Sequence, residues 1–386
     1  MKTTRSAEVA SAHRVGELDL LRFLAALAVV LYHYTFRGFS TGDMSTMPYP
    51  LLVPVTKYGN LGVELFFMIS GFVILMSASS GSLRKFATSR VARLYPMFWA
   101  CCTLTFIVTL LLGGAYFSVS APQYAVNLTM LSGFLDVPSV DGVYWSLFVE
   151  LRFYALVALV LLFRQLERTQ LLLALWLIAS VVLEFAPLPL LGFLLITDYS
   201  PLFIAGAFCF LIRSRGVTFA RLGLVGAAWT VALYHALGDI PKLEAKYHTQ
   251  LSPYVVGGVI SVFFVVLIAV ALRRTGRLAA INWVTLGALT YPLYLIHQNI
   301  GYMIFNAAYP TVNPHVLLWG TVLGMLVLAY LLDRAIEQRY ARAFKGFLEG
   351  RLTAVLAALP LDRLGQLSFP ARAHSKPHHG LKRKLD

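Results

Sequence analysis

The chain has 386 residues, of which 58% are hydrophobic and only 13% are charged. Its mean hydropathy of +0.72 lies well above that of soluble domains, so the composition excludes an ordinary soluble protein. A formal net charge of +14 would suit a nucleic-acid-binding protein. The basic residues, however, lie in short connections between apolar runs and in the C-terminal tail. This placement indicates membrane topology and no nucleic-acid partner.

Ten apolar runs follow one another along the chain, and most have the roughly 18 to 22 residues needed to cross a hydrocarbon core of about 30 Å. They predict an all-α, polytopic transmembrane helix bundle of about ten helices. The segment 187–199 could either extend the sixth run or form a separate, partly inserted segment. The runs lie near 18–37, 59–79, 95–114, 146–164, 169–186, 199–213, 221–238, 253–272, 282–306 and 315–333.

The first run carries two ionisable residues on one helical face. It is too long for a signal peptide and lacks a small-residue cleavage site, which predicts a retained helix. Arg22 and His33 are eleven residues apart, close to three turns, which places them roughly 16 Å apart along the axis. Ionisable groups within a span are costly and usually mark chemistry or transport. The alternative is an arginine that reaches the membrane surface and a histidine bonded to a carbonyl.

A pair of arginines follows the second run. Arg90 and Arg93 stand just before Tyr95-Pro96, where we expect the third helix to begin. Because the guanidinium group is a planar fork of donors, these two residues are candidates for holding a phosphorylated ligand. For the neighbouring Arg84 and Lys85, the general excess of positive charge at the cytoplasmic surface is the preferred explanation.

The connection 115–145 is the longest one predicted on the outer side, and its residues could form a short helix along the outer surface. Tyr144 and Trp145 end it, and they could stack on a sugar ring. The alternative is the belt of aromatic residues that membrane proteins commonly place at the interface.

Connections rich in Lys and Arg alternate with poor ones, which predicts that both termini face the cytoplasm. In that orientation Glu64 on helix 2, Glu150 on helix 4 and His297 on helix 9 lie in the outer half of the bundle, at the depth of His33. Carboxylates at this level could orient and charge the imidazoles, which is the arrangement of a general base. Arg22 belongs instead with the arginines of the inner end.

The organisation predicted is a cytoplasmic N-terminal segment over 1–17, a transmembrane domain over 18–335, and a cytoplasmic segment over 336–386. The last of these begins as an amphipathic stretch on the inner leaflet and ends as a basic, disordered tail. Cys101, Cys102 and Cys209 fall within apolar runs without paired spacing, so we expect neither a disulfide framework nor a metal site.

Five motifs in order resemble those of the acyltransferase-3 family of integral membrane O-acyltransferases, and the resemblance covers roughly 16–335. The third motif carries the Arg-x-x-Arg-x-Tyr-Pro pattern, and the fourth carries Trp-Ser-Leu before a glutamate. One departure is Leu151-Arg152, where the family often has Glu-Gln after that glutamate. The motifs are ELDLLRFLAALAVVLYHY, GNLGVELFFMISGFVI, FATSRVARLYPMFW, DGVYWSLFVELRFY and LTYPLYLIHQNI.

The resemblance implies an acyl-CoA donor, usually acetyl-CoA, used from the cytoplasmic side and an acceptor on the outer side. No cofactor would be bound permanently. His33 would be the essential histidine, Arg22 its motif partner, and Arg90 and Arg93 the donor-binding arginines. Glu150 matches the glutamate of the fourth motif. Glu64 takes the acidic position of the second motif.

These observations predict an O-acyltransferase of the inner membrane that moves an acyl group, usually acetyl, to a hydroxyl of a carbohydrate or glycolipid, with His33 as general base. Direct transfer is preferred over an acyl-enzyme on His33, Ser70 or Ser146. The main alternative is a proton-coupled transporter or exporter of a sugar or small metabolite. A purely structural membrane subunit is a further one, but it would not need five ionisable groups within its spans.

Overall fold

A computed structural model describes residues 15–358, and within that range the chain is helical throughout, without a strand. Shorter pieces join the long helices: Gly38–Ser40, Val53–Thr56, Ala121–Asn127, Pro189–Leu195 and Ile240–Tyr247 are α-helical, and His33–Arg37 and Asp333–Glu337 are π-helical. Single 3₁₀ turns lie at Gly59–Leu61, Ser132–Phe134, Leu166–Arg168 and Gly276–Ala280. The long helices are α1 (Gly16–Tyr32), α2 (Gly62–Ala78), α3 (Leu83–Leu112), α4 (Tyr144–Leu162), α5 (Thr169–Phe185), α6 (Ser200–Arg215), α7 (Phe219–Gly238), α8 (Pro253–Ala271), α9 (Val284–Ala308), α10 (Pro314–Leu332) and α11 (Gln338–Ala358).

In the described range, eight helical segments are long and apolar enough to cross a membrane. They contain α1 to α6, α8 and α10. The two remaining predicted spans correspond to α7 and α9, which have 20 and 25 residues but are less apolar. The predicted all-α, multi-pass bundle is therefore confirmed. The segment 187–199 forms a helix of its own, Pro189–Leu195, which ends at Ile196 with a left-handed φ of 56°.

The predicted start of the third helix at Tyr95-Pro96 is wrong. Helix α3 begins at Leu83, where the Ser82 hydroxyl accepts the backbone N–H of Lys85. Pro96 lies in the interior of the helix, which membrane helices tolerate because neighbouring groups satisfy the freed backbone carbonyl. Arg90 and Arg93 therefore stand on a helix and not in a loop.

The connection between α3 and α4 folds back along α3. Its short helix Ala121–Asn127 packs there, with the ring of Tyr124 stacked on Phe106 at 4.3 Å. Further on, Tyr95 donates to the carbonyl of Thr129, and Trp99 donates to that of Leu128, both at 2.9 Å. Tyr95 and Trp99 are near the middle of a 30-residue helix. The connection therefore packs against the middle of α3. The sequence had suggested a short helix along the outer surface.

Helices α2 and α6 cross with their backbones in contact, and two glycines allow it. A Cβ on Gly71 would collide with the carbonyl oxygen of Phe203, and one on Gly206 would collide with that of Met68. Small residues let membrane helices approach until their backbones touch. Helix α1 packs against α2 and α9, so the first, second and ninth helices surround the centre of the molecule.

The C-terminal region continues from α10 through the π-helix into α11, and α11 packs on α3, where the ring of Phe344 meets Trp99 at 5.8 Å. The predicted amphipathic segment is thus a helix at least over Gln338–Ala358. The basic tail beyond 358 and residues 1–14 lie outside the described residues, as do the side chains of 341, 342 and 352–358.

Candidate active site

His33 lies where α1 changes from an α-helix to the π-helix His33–Arg37. Single π turns inside helices occur mostly at functional sites. The side chain is 7% exposed, and its Nδ1 lies 2.8 Å from the carbonyl oxygen of Val29 and 3.1 Å from Nε2 of His297. The predicted meeting of these two histidines, from helices 264 residues apart in the chain, is therefore present.

The hydrogen bonds of His297 fix which nitrogen carries the proton. Its Nδ1 lies 2.9 Å from the carbonyl of Tyr294 and 3.2 Å from that of Leu293, and since carbonyls only accept, Nδ1 must be the donor. In a neutral ring Nε2 is then an acceptor, which receives the Nδ1–H of His33 together with the Val29 carbonyl. His33 Nε2 is thereby left without a proton. This is the tautomer that a general base requires.

The three predicted arginines line a single cavity of about 100 Å³, together with Glu150. Arg22 pairs with Asp19 at 3.9 Å. The Nε atom of Arg90 is buried and makes no hydrogen bond with any described residue, so this donor remains available to a ligand. The cavity thus combines three guanidinium groups with one carboxylate, a charge balance suited to an anion.

Glu150 lies with these arginines and not with the histidines. Its Oε1 accepts hydrogen bonds from Ser70 at 2.8 Å and from Tyr154 at 2.9 Å. It makes no hydrogen bond to either imidazole of the described pair. The expectation that a carboxylate at this depth would orient His33 is therefore not met by Glu150.

Glu64 faces a third region. It lines a separate cavity of about 450 Å³ with Glu184, Asp198 and Asp239. Glu64 and Ser70 are six residues apart, so their side chains point in directions about 120° apart around α2. Ser70 faces the arginine cavity, so Glu64 must face away from it, and Glu64 makes no hydrogen bond to the described histidines. The prediction rested on the level of each residue along its helix. That level does not determine which face of the helix the residue occupies, so the carboxylates do not meet the imidazoles.

Asp141, which the sequence reasoning did not single out, is an acidic residue that binds α9 two residues after His297, through the backbone N–H of Asn299. It is fully buried, and its two oxygens accept the backbone N–H groups of Val143 and Asn299, each at 3.1 Å. Burial raises the pKa of Asp141 to about 7, against the lowering effects of those N–H groups and of the Arg37 guanidinium. Its position at the start of the fourth motif was the available signal.

Tyr144 and Trp145 do not face the histidines directly. Both line a third cavity with Phe98 and Met130. Tyr144 is buried and its hydroxyl has no partner among the described residues, while Trp145 is 42% exposed and packs near Tyr199.

A hydrogen bond separates the arginine cavity from the histidine pair. The hydroxyl of Tyr294 lies 2.7 Å from that of Ser146, and both residues line the cavity. The ring of Tyr294 is also 5.7 Å from that of His297. The cavity therefore ends one side chain away from the imidazoles. No group of His, Cys, Asp and Glu suited to a metal ion occurs in the part of the chain that the structure describes.

Comparison with known proteins gives the family. The model of a family described as an acyltransferase domain matches residues 15–334, which include the histidine pair and every residue of the arginine cavity. The chain belongs to this family. The resemblance drawn from the five motifs is therefore confirmed, and the match ends close to the last residue of α10.

Three relatives share segments with this acyltransferase-family chain. Nodulation protein 10 of Rhizobium leguminosarum bv. viciae is 32% identical over 170 residues, which are 39% of this chain and 44% of that protein. Acyltransferase MdmB of Streptomyces mycarofaciens is 29% identical over 36% of this chain and 38% of its own length. An O-acetyl transferase of Shigella phage Sf6 is 32% identical over 25% and 27%. The chain covers less than half of each relative, and no solved structure matches.

Proposed function

We propose that the protein is a membrane O-acyltransferase that moves an acyl group, usually acetyl, from acyl-CoA to a hydroxyl of a carbohydrate or glycolipid. The observation that carries this proposal is the state of His33. Its Nδ1 is held by the Val29 carbonyl and His297, so that Nε2 is free to accept a proton. Membership of the acyltransferase family supports the same reaction class.

The arginine cavity is the proposed site for the CoA phosphates. Arg22, Arg90 and Arg93 supply the positive charge, and their forked donors match phosphate oxygens. Arg22 and His33 are eleven residues apart on one helix, about 16 Å along its axis, so an extended pantetheine arm could carry the thioester towards His33. This requires the Tyr294–Ser146 contact to open. The arginine end would face the cytoplasm of the inner membrane, with both termini on that side.

The chemical step is a direct transfer. His33 Nε2 removes the proton of the acceptor hydroxyl, whose oxygen forms a bond to the thioester carbonyl carbon while the π electrons move to the carbonyl oxygen. The resulting tetrahedral intermediate collapses, the C–S bond breaks, and the imidazolium returns its proton to the CoA thiolate. The products are an ester and free CoA.

The carbohydrate class of the acceptor rests on the family resemblance, while the O-acetyl transferase among the relatives supports transfer of an acetyl group to an oxygen atom. Aromatic side chains at Tyr144 and Trp145 offer a surface on which a sugar ring could stack. The donor class rests on the three arginines. A carbohydrate acceptor and a CoA donor are therefore proposed on separate grounds and can be tested separately.

Membranes containing the protein should transfer label from radiolabelled acetyl-CoA to the carbohydrate or glycolipid fraction of the host. Replacing the proposed base in His33→Gln should reduce this transfer by about 10²- to 10⁴-fold, because general-base help is lost. The matched control is His248→Gln, since His248 is exposed in a connection. Equal transfer by wild type and His33→Gln would refute the assignment. Unlabelled carbohydrate with wild-type protein would instead favour a transporter.

A further inference from the structure

Arg37 lies one π turn after His33 on the same helix, at the end of His33–Arg37. The π turn is closed by a bond from the N–H of Gly38 to the carbonyl of His33. Nothing in the sequence motifs drew attention to this arginine. Its guanidinium lies close enough to His33 and to Asp141 to act on both electrostatically. The site thus holds a cation beside the proposed base.

The donors of Arg37 are poorly satisfied. Its one described hydrogen bond runs from NH1 to the thioether sulfur of Met44, at 2.8 Å, and a thioether is a weak acceptor. It forms no ion pair with a described carboxylate. The nearby Asp141 is occupied by two backbone N–H groups. A largely desolvated guanidinium normally has several strong acceptors, so this one has room for an anionic ligand atom.

Tyr302 supplies a second unused donor at the same place. It is fully buried on α9, and its O–H finds no acceptor among the described residues. Its ring centroid is 6.4 Å from that of His33, and the Arg37 guanidinium lies beside the hydroxyl. Since buried hydroxyls are nearly always paired, an orphan next to a proposed base points to a partner that arrives with the substrate.

The ring of Tyr302 cannot easily move away. It lies against the backbone of Gly38, where an added Cβ would collide with it, and it stacks on Phe117 at 6.3 Å. Arg37 and Gly38 are consecutive, so the same π turn that places the guanidinium also leaves space for the tyrosine. The Tyr302 hydroxyl is therefore held in place before any substrate binds, next to the π turn that carries Arg37.

We propose that the Arg37 guanidinium and the Tyr302 hydroxyl donate hydrogen bonds to the acyl carbonyl oxygen as it becomes an oxyanion. This inference rests on the proposed function, because it needs a thioester carbon beside His33. The electron pair that leaves the C=O bond on attack settles on this oxygen, and it returns when the C–S bond breaks. Donors fixed beforehand around a developing oxyanion stabilise the transition state more than the substrate.

The test measures acetyl-CoA turnover on the acceptor fraction labelled in the His33 experiment. Arg37→Gln and Tyr302→Phe should each lower kcat by roughly 10²- to 10³-fold, the usual effect of losing one oxyanion donor. The KM for acetyl-CoA should stay within about twofold, because the lost bond forms only in the transition state. Arg37→Lys keeps the cation and should retain more activity than Arg37→Gln.

Two matched controls separate this role from a structural one. Arg213→Gln removes an arginine that donates to the Val270 carbonyl, and Tyr58→Phe removes a hydroxyl that accepts the Ser252 N–H. Both should leave kcat near the wild-type value. Thermal melting of each variant in detergent reports whether it is folded.

The outcomes distinguish the two proposals. Loss of activity in His33→Gln with wild-type kcat in folded Arg37→Gln and Tyr302→Phe would overturn the oxyanion role alone. An increase in the acceptor KM with unchanged kcat would also overturn it, since the pair would then bind the acceptor. Full activity in His33→Gln would remove the proposed function and this inference with it.

Discussion

The histidine pair and the arginine cavity are two polar centres that share helices, and they differ in what surrounds their polar groups. The histidine pair on α1 and α9 is held by main-chain carbonyls and is sealed from solvent. The arginine cavity, one to three turns away on the same helices, is lined by residues of five helices, of which three contribute charged side chains, and it is partly open. The first centre fixes a proton position, whereas the second offers charge to a ligand that comes and goes.

This difference follows from the cost of charge in a membrane. An imidazole can be buried as a neutral group if its N–H finds a carbonyl, and helix carbonyls are available at i−3 and i−4. A guanidinium stays charged, so it needs counter-charges or an aqueous ligand. Glu150 and Asp19 provide part of that balance in the cavity. We therefore expect mutations at the first centre to change kcat and mutations at the second to change donor affinity.

The largest effect expected within this comparison is at His297. His297→Phe keeps an aromatic ring but removes the acceptor for His33 Nδ1–H, and kcat should fall by about 10²-fold or more because the base loses its partner and its tautomer. His297→Gln retains an acceptor oxygen, so its kcat should fall less. The control Met303→Leu alters a buried neighbour on α9. A fully active His297→Phe variant would show that the Val29 carbonyl alone orients His33.

The histidine pair also shows how far sequence reasoning could go. Nine of the ten apolar runs predicted from hydropathy match a long helix to within a few residues, because the length of such runs is set by the bilayer. Hydropathy failed at the start of α3, where the polar stretch before Arg90 resembles a loop until Ser82 is recognised as a cap. Helix direction and residue count predicted that His33 and His297 lie at one level, and the two imidazoles are in contact.

The sequence could not predict which face of each helix turns towards the site. Glu64 and Glu150 lie on the predicted helices but face other cavities. The rotation of each helix about its own axis depends on packing, such as the crossing at Gly71 and Gly206. Arg37 and Tyr302 were not singled out because nothing local marks an arginine or a tyrosine as unpaired. Only the assembled bundle shows which donors lack acceptors.

The next effect in size concerns the arginine cavity. Arg93→Gln should raise the KM for acetyl-CoA by roughly tenfold, as expected for the loss of one charge-assisted hydrogen bond, and should change kcat little. Arg168→Gln, exposed in the connection after α4, is the control for lost positive charge at the same end. The comparison between the two centres would break if Arg93→Gln reduced kcat with an unchanged KM.

The smallest effect is a pH dependence at the histidine end, and it arises from Asp141. Because burial raises its pKa to about 7, from an ordinary value of 3.8, the folded protein holds this proton more tightly than the unfolded chain. The associated stability is complete below about pH 4 and is lost as the pH rises through 7. Wild-type protein in detergent should therefore melt at progressively lower temperature, relative to Asp141→Asn, as the pH is raised from 4.5 to 7.5.

Asp141→Asn should be less stable overall, because an amide nitrogen cannot accept the Asn299 N–H, but its melting temperature should lack this component of the pH response. Asp136→Asn is the matched control: Asp136 is exposed, and its left-handed φ of 51° suits asparagine. It should follow the wild-type pH profile. If Asp141→Asn and wild type showed parallel profiles, the Asp141 carboxyl would be ionised throughout, and the histidine end would carry a fixed negative charge beside Arg37.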